Sequence, residues 1–148
     1  MTGGVANERS GDSAVHRSFH ADCVDNAKSG TASMWGLFKR DFRAAHELER
    51  SELLKMILGE ADGSIEGSEF RDYLHVRDQR LGLEFDSSWV NFFIIEHLVE
   101  TFPEARFVLL VRDCYSWVES VVNHALTREI PADVWEFMDW WFEPHKYP

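Results

Sequence analysis

Cysteine is nearly missing from this chain: 148 residues contain only Cys23 and Cys114. Two thiols so far apart do not make a disulfide framework, and a reducing compartment fits. Metal-ligand spacing is scarce too. His16, His20 and Cys23 come near a zinc pattern but have no matching second cluster, so no metal site is expected. No stretch approaches the ~20 apolar residues that cross a bilayer. The first eighteen residues lack the apolar segment of a secretory signal, and the expectation is a soluble cytoplasmic protein. Positive charge is also in short supply, with 15 Lys and Arg against 26 Asp and Glu, a net −11. Duplex nucleic acid and anionic membrane surfaces both reward a basic face, so neither is an expected partner. Any multiply charged anionic ligand must be held by a few local cations.

What the chain does have is apolar and aromatic content, 45% and 14%, enough for one domain with its own core. Residues 1–14 are rich in Gly, Ser, Asn and Asp and are expected to be disordered. The domain is then 15–148. A short strand pattern over 19–24 runs into a small-residue turn and a helix over 32–40; 42–46 suits a second short strand. Helices follow over 48–58, where Leu53, Leu54, Ile57 and Leu58 share a face, and over 68–80. A third strand at 83–86 precedes Ser87-Ser88 in a helix-capping position, and 90–102 is apolar nearly all round, the mark of a helix buried on most sides. RFVLLV at 106–111 is the strongest strand pattern and reads as a central strand covered on both faces. Helices over 113–126 and 132–142 complete the order. Strands alternating with helices predict an α/β fold, a three-layer α/β/α sandwich with a mostly parallel sheet.

Two segments carry candidate chemistry. In Lys28-Ser29-Gly30-Thr31-Ala32-Ser33, a turn between strand and helix leaves backbone N–H groups unpaired at the helix start, where the dipole favours a phosphate. Gly30 allows close backbone approach, Lys28 adds a point charge, and Thr31 and Ser33 add hydroxyls. The lysine precedes the glycine, unlike the Gly-Lys-Ser/Thr ending of nucleotide triphosphatase loops. Taken alone, this segment fits a plain helix-capping turn equally well. In the second segment, RDCYSWVES, Arg112 ends the strongest strand, where open α/β sheets bind ligands. Ser116, Ser120 and His124 follow at i, i+4, i+8 on one helical stripe. Arg112 and Ser120 suit a phosphate gripped from two sides. An Arg112–Asp113 surface pair is the alternative.

In this order the two segments resemble the sulfotransferases that use 3′-phosphoadenosine 5′-phosphosulfate (PAPS). Lys28 to Ser33 is similar to that family's 5′-phosphosulfate loop, and FPEARFVLLVRDCYSWVESVVNH to its 3′-phosphate stretch. The likeness spans roughly residues 19–126. It differs at Asp25, Asn26 and Ala27, where the family carries Gly-x-Pro, and at Cys114, where it carries proline. The resemblance implies a P-loop nucleotide-hydrolase-like fold and sulfuryl transfer from PAPS to a hydroxyl or amine of a small-molecule, lipid or carbohydrate acceptor. It implies that Lys28, Ser29, Gly30, Thr31, Ala32 and Ser33 hold the phosphosulfate and that Arg112 and Ser120 hold the 3′-phosphate. Lys28 also takes up charge on the leaving oxygen. Glu47 becomes the first choice of base, with His46 second. No metal is implied. Glu84 and Asp86 read as a strand-end pair suited to orienting acceptor or cation, His75 and His97 as ordinary helix residues, and His124 as a nucleotide-site neighbour. Two rival readings use the same residues: a P-loop-like small-molecule kinase with Asp86 on magnesium, and a non-catalytic truncated sulfotransferase fold. The family continues beyond the 3′-phosphate helix, so a fragment of a longer protein is expected. Trp135, Trp140 and Trp141 in the last helix suggest a covered surface, with self-association as one way to cover it.

Overall fold

The computed structural model describes residues 16–143, so the expected N-terminal tail lies outside the described residues. Four short strands, β1 (Ala21–Val24), β2 (Ala44–His46), β3 (Phe85–Ser88) and β4 (Arg106–Leu109), make one all-parallel sheet in the order β2-β3-β1-β4. Six helices connect and flank them: α1 (Thr31–Phe38), α2 (Arg50–Asp62), α3 (Gly67–Leu81), α4 (Ile95–Thr101), α5 (Cys114–Thr127) and α6 (Ala132–Phe142). The architecture is the expected α/β sandwich, consistent with the three-layer, P-loop-like class. No helix among the described residues is long and apolar enough to cross a membrane.

The alternation of side chains along a strand divides the core into two. On one face Ala21, Cys23 and Phe85 pack beneath α1 with Phe19, Met34 and Phe38, and the Phe38 ring stacks on Phe85 at 4.1 Å. On the other face α2, α3, α4 and α6 deliver Leu53, Leu54, Phe70, Leu74, Leu98 and Phe137 around Trp89 and Val90. Burying a Leu or Phe side chain fully is worth ~1.5–3 kcal/mol, so this second, larger cluster supplies most of the cohesion.

The sheet corrects one expectation. Among the described residues β4 is an edge strand paired to β1 alone; Leu109 and Val111 are 67% and 87% exposed. The interior strands are β3 and β1, and β1, whose sequence ADCV is more polar than that of β4, has all four residues buried. An apolar run reports what a strand would tolerate, not which neighbours it acquires. The single helix expected over 90–102 is also broken. Ser88 caps a 3₁₀ turn at Trp89–Phe92 by accepting from the Val90 amide, the buried Asn91 side chain donates to Cys23 O at 3.3 Å, and α4 starts only at Ile95. Phe92 and Val99 reach solvent.

A polar face on an interior strand needs compensation. Asp22 and Asp86 are register partners on β1 and β3, both buried. Arg77 of α3 meets Asp86 at 2.8 Å, and Arg17 pairs with Asp78 beside them. Asp22 Oδ2 is left without a hydrogen bond, its nearest cationic candidate being His20 Nε2 at 3.5 Å. Burial first, then the Asp86 charge, push the Asp22 carboxyl up to about 8. At neutral pH it is protonated in the fold and ionised when unfolded, so the folded state binds the extra proton. The contribution of this group to stability is therefore fully present below about pH 4 and is lost as pH rises toward 8. Asp22→Asn keeps the shape without the charge. It is expected to raise the urea midpoint at pH 8, by an amount on the order of a few kcal/mol in stability, and to flatten the pH 5–8 stability profile. A midpoint unchanged at pH 8 would contradict the buried protonated acid.

Candidate functional site

The carboxyl ends of β1 and β4 are adjacent because those strands pair directly, and the connections that leave them form the site. After β1 the chain turns through residues 25–30. Asp25 points inward: its Oδ1 accepts from the Asn26 amide at 2.7 Å, its Oδ2 is buried, and burial raises its pKa. The turn is closed by left-handed backbone at Lys28 (φ 72°) and by Gly30 at φ 129°, a value side-chain-bearing residues rarely adopt. Gly30 is also the N-cap of α1, and no side chain caps that helix; Ser33 N donates to Gly30 O at 2.9 Å, which leaves the Thr31 and Ala32 amides as donors at the helix start. Ser87 Oγ donates to Thr31 O at 2.8 Å and anchors the helix start to β3. Ala32 and Ser33 are exposed on the first turn.

After β4, Asp113 caps α5 by accepting from the Ser116 amide at 2.9 Å. Two side chains then cross back to the first turn. Arg112 Nη1 donates to Lys28 O at 2.8 Å, and Trp117 Nε1 donates to Ala27 O at 2.9 Å. Between these elements lies an open cleft of about 380 Å³, walled by Lys28, Arg112 and the α5 residues Ser116, Glu119, Ser120, Asn123, His124, Thr127 and Arg128. Lys28 Nζ stands 3.4 Å from His124 Nδ1. Three permanent cations and one acid line this cleft, the reverse of the chain's overall balance.

The structure thus brings Lys28, Arg112, Ser120 and His124 to one cavity, with Ser29 to Ser33 on its loop and helix. His46 and Glu47 do not line it. His46 ends β2 and Glu47 follows it; His46 Nε2 is 3.2 Å from Thr31 Oγ1 and 3.7 Å from Glu47 Oε1. Glu47 also binds Arg50 at 3.1 Å; Arg50 reaches Asp133 of α6 at 3.5 Å, and Ser51 Oγ donates to the same carboxylate at 2.7 Å. Glu84 and Asp86 are not a strand-end pair at this site. Glu84 precedes β3 and accepts from the Ser18 and Arg43 amides, at the opposite end of the sheet; Asp86 lies within β3, bound by Arg77. His97 pairs with Glu60 at 2.8 Å and packs on Phe70, and His75 packs on Phe102. Arg128, Asn123 and Thr127 escaped the sequence reading. Carrying the Ser116–Ser120–His124 stripe one more turn would have reached Thr127 and Arg128. Arg50 had no sequence signal beyond its spacing from Glu47.

Residues 75–147 match the family model described as a sulfotransferase domain. That stretch includes Arg112 and the whole α5 wall, while the Lys28 turn lies outside it. No curated protein and no solved structure matches the chain. A Cβ at residue 30 would be strained by the backbone and would meet Leu110 at 3.7 Å. Gly30→Ala is expected to cost about 1–3 kcal/mol in urea denaturation; an unaltered midpoint would mean that the turn accepts another geometry.

Proposed function

We propose, from the match of residues 75–147 to the sulfotransferase domain family, that the cleft binds PAPS and that the protein sulfates a hydroxyl or amine. The acceptor class is a small molecule, lipid or carbohydrate. The observation that carries this reading is the shared cleft of Lys28 and Arg112, joined by the Arg112–Lys28 carbonyl bond. The donor set fits the ligand. Cations outnumber the one lining acid, the α1 amides are uncapped, and about 380 Å³ falls within the ~300–1,000 Å³ of ligand pockets.

PAPS, when bound, supplies the sulfuryl group on a 5′-phosphate leaving group. Lys28 and the first amides of α1 would hold that end, where fixed donors would offset the charge that develops on the leaving oxygen. Arg112 spends one of its five N–H donors on Lys28 O and keeps the rest for the 3′-phosphate, with Ser120 one turn into the wall. Glu47 is the proposed base. Its carboxylate is oriented by Arg50, itself tied to α6, and sits beside His46. His46, in contact with Thr31 Oγ1, is the alternative. A kinase reading loses its metal ligand, because Asp86 is held by Arg77 inside the sheet. The reaction would be cytoplasmic and would use no metal. Self-association through α6 belongs to the same proposal, since Trp135 and Phe142 are more than half exposed.

Adenosine 3′,5′-bisphosphate is expected to raise the melting temperature, because a ligand bound by the native state alone stabilises it. Ser120→Ala, which leaves the Arg112–Lys28 contact in place, should weaken binding severalfold. Arg112→Ala should weaken it about ten- to a hundredfold, the range for lost hydrogen bonds to a charged group. No shift at millimolar ligand would favour the non-catalytic reading. With PAPS and a range of acceptors, Glu47→Gln should lower turnover by about 10²-fold or more with bisphosphate affinity preserved. Full turnover in Glu47→Gln together with loss in His46→Ala would transfer the role of base to His46.

A further inference from the structure

We propose that His124 is a proton-gated positioning residue: as a neutral imidazole it holds the Lys28 ammonium against the cleft wall, and as an imidazolium it releases the lysine and donates to the bound phosphate itself. The inference rests on the nucleotide reading of the cleft and adds a mode of regulation to it. Lys28 Nζ and His124 Nδ1 are 3.4 Å apart. An ammonium can only donate, so this contact needs a lone pair on Nδ1, and an imidazolium has none. Taking up a proton breaks the contact and sets two like charges side by side.

The groups around the ring agree. Lys28 comes from the turn after β1, Arg112 from the end of β4, Arg128 and Glu119 from α5 itself, and Glu47 from the end of β2. Desolvation, then Lys28 and Arg128, hold the His124 pKa below its ordinary value, with Glu47 opposing them. In the free cleft the ring is therefore neutral at pH 7. A polyanion placed among these cations reverses the field and favours the imidazolium. By linkage, whatever proton affinity the ligand adds to His124, protonation returns to the ligand as binding affinity. Sequence offers no hint of the pairing, since residues 28 and 124 are 96 positions apart.

The test is calorimetric titration of the full chain with adenosine 3′,5′-bisphosphate at pH 6 and pH 8, for the natural protein and for His124→Gln. His124 is exposed on α5, so the substitution leaves the fold intact. The ligand's own phosphate titration is common to both proteins and cancels in the ratio of their dissociation constants. That ratio should favour the natural protein at pH 6 over pH 8 by a factor that approaches, and does not exceed, about tenfold per unit of pKa rise on binding. Titrations in two buffers of different ionisation enthalpy should show proton uptake that His124→Gln loses. Tight binding with the same ratio at both pH values overturns the gate and leaves the nucleotide site standing. Absence of binding in both proteins at millimolar ligand overturns the nucleotide reading, and the gate with it.

Discussion

The site depends on one crossing contact, the hydrogen bond from Arg112 Nη1 to the carbonyl of Lys28, reinforced by Trp117 to Ala27. These bonds join two connections that lie 84 and 90 residues apart in sequence. They fix the turn around Gly30 against the start of α5, and so fix the distance between a lysine and an arginine that line one cleft. They also explain why a tryptophan sits in the first turn of α5, a helix with no fully buried residue. Its indole N–H spans to a backbone carbonyl while its ring covers the joint, an amphipathic task suited to Trp.

Much of this was legible in the chain. The order of strands and helices followed from periodicity, because short apolar runs alternate with helical stripes; Gly63 and Gly82, which end α2 and α3, are both left-handed in the structure. The meeting of the Lys28 and Arg112 segments followed from two weak patterns that constrain each other. Parallel strands with ligand-facing carboxyl ends leave few ways to arrange them. Strand order was harder to read. RFVLLV looked interior and is an edge among the described residues, while the more polar ADCV is interior. Burial of Asp22 depends on Arg77 of α3 neutralising Asp86 next door, a tertiary relation without local trace.

Glu84 and Asp86 show the same limit at the candidate site. Both were read as strand-end acids with chemical duties, and both turn out to serve the scaffold, one accepting from two backbone amides and one inside an ion pair. The residues of equal importance that went unread, Arg128 and Arg50, act through neighbours brought in by folding: the cleft wall for one, Asp133 of α6 for the other. Residue type and spacing identify a helix face. They do not say what the face looks onto.

An acidic chain with a cationic cleft needs its charges sorted by distance. At physiological salt the Debye length is ~8 Å, so exposed acids farther than that from the cleft contribute little there. The near neighbours decide: Lys28, Arg112 and Arg128 against Glu119, with His124 adding a fourth cation when it is protonated. Glu119 therefore matters more than the net charge of −11. It shares the cleft wall with Ser116 and Ser120, so among the lining side chains it is the acid that opposes an anion placed there.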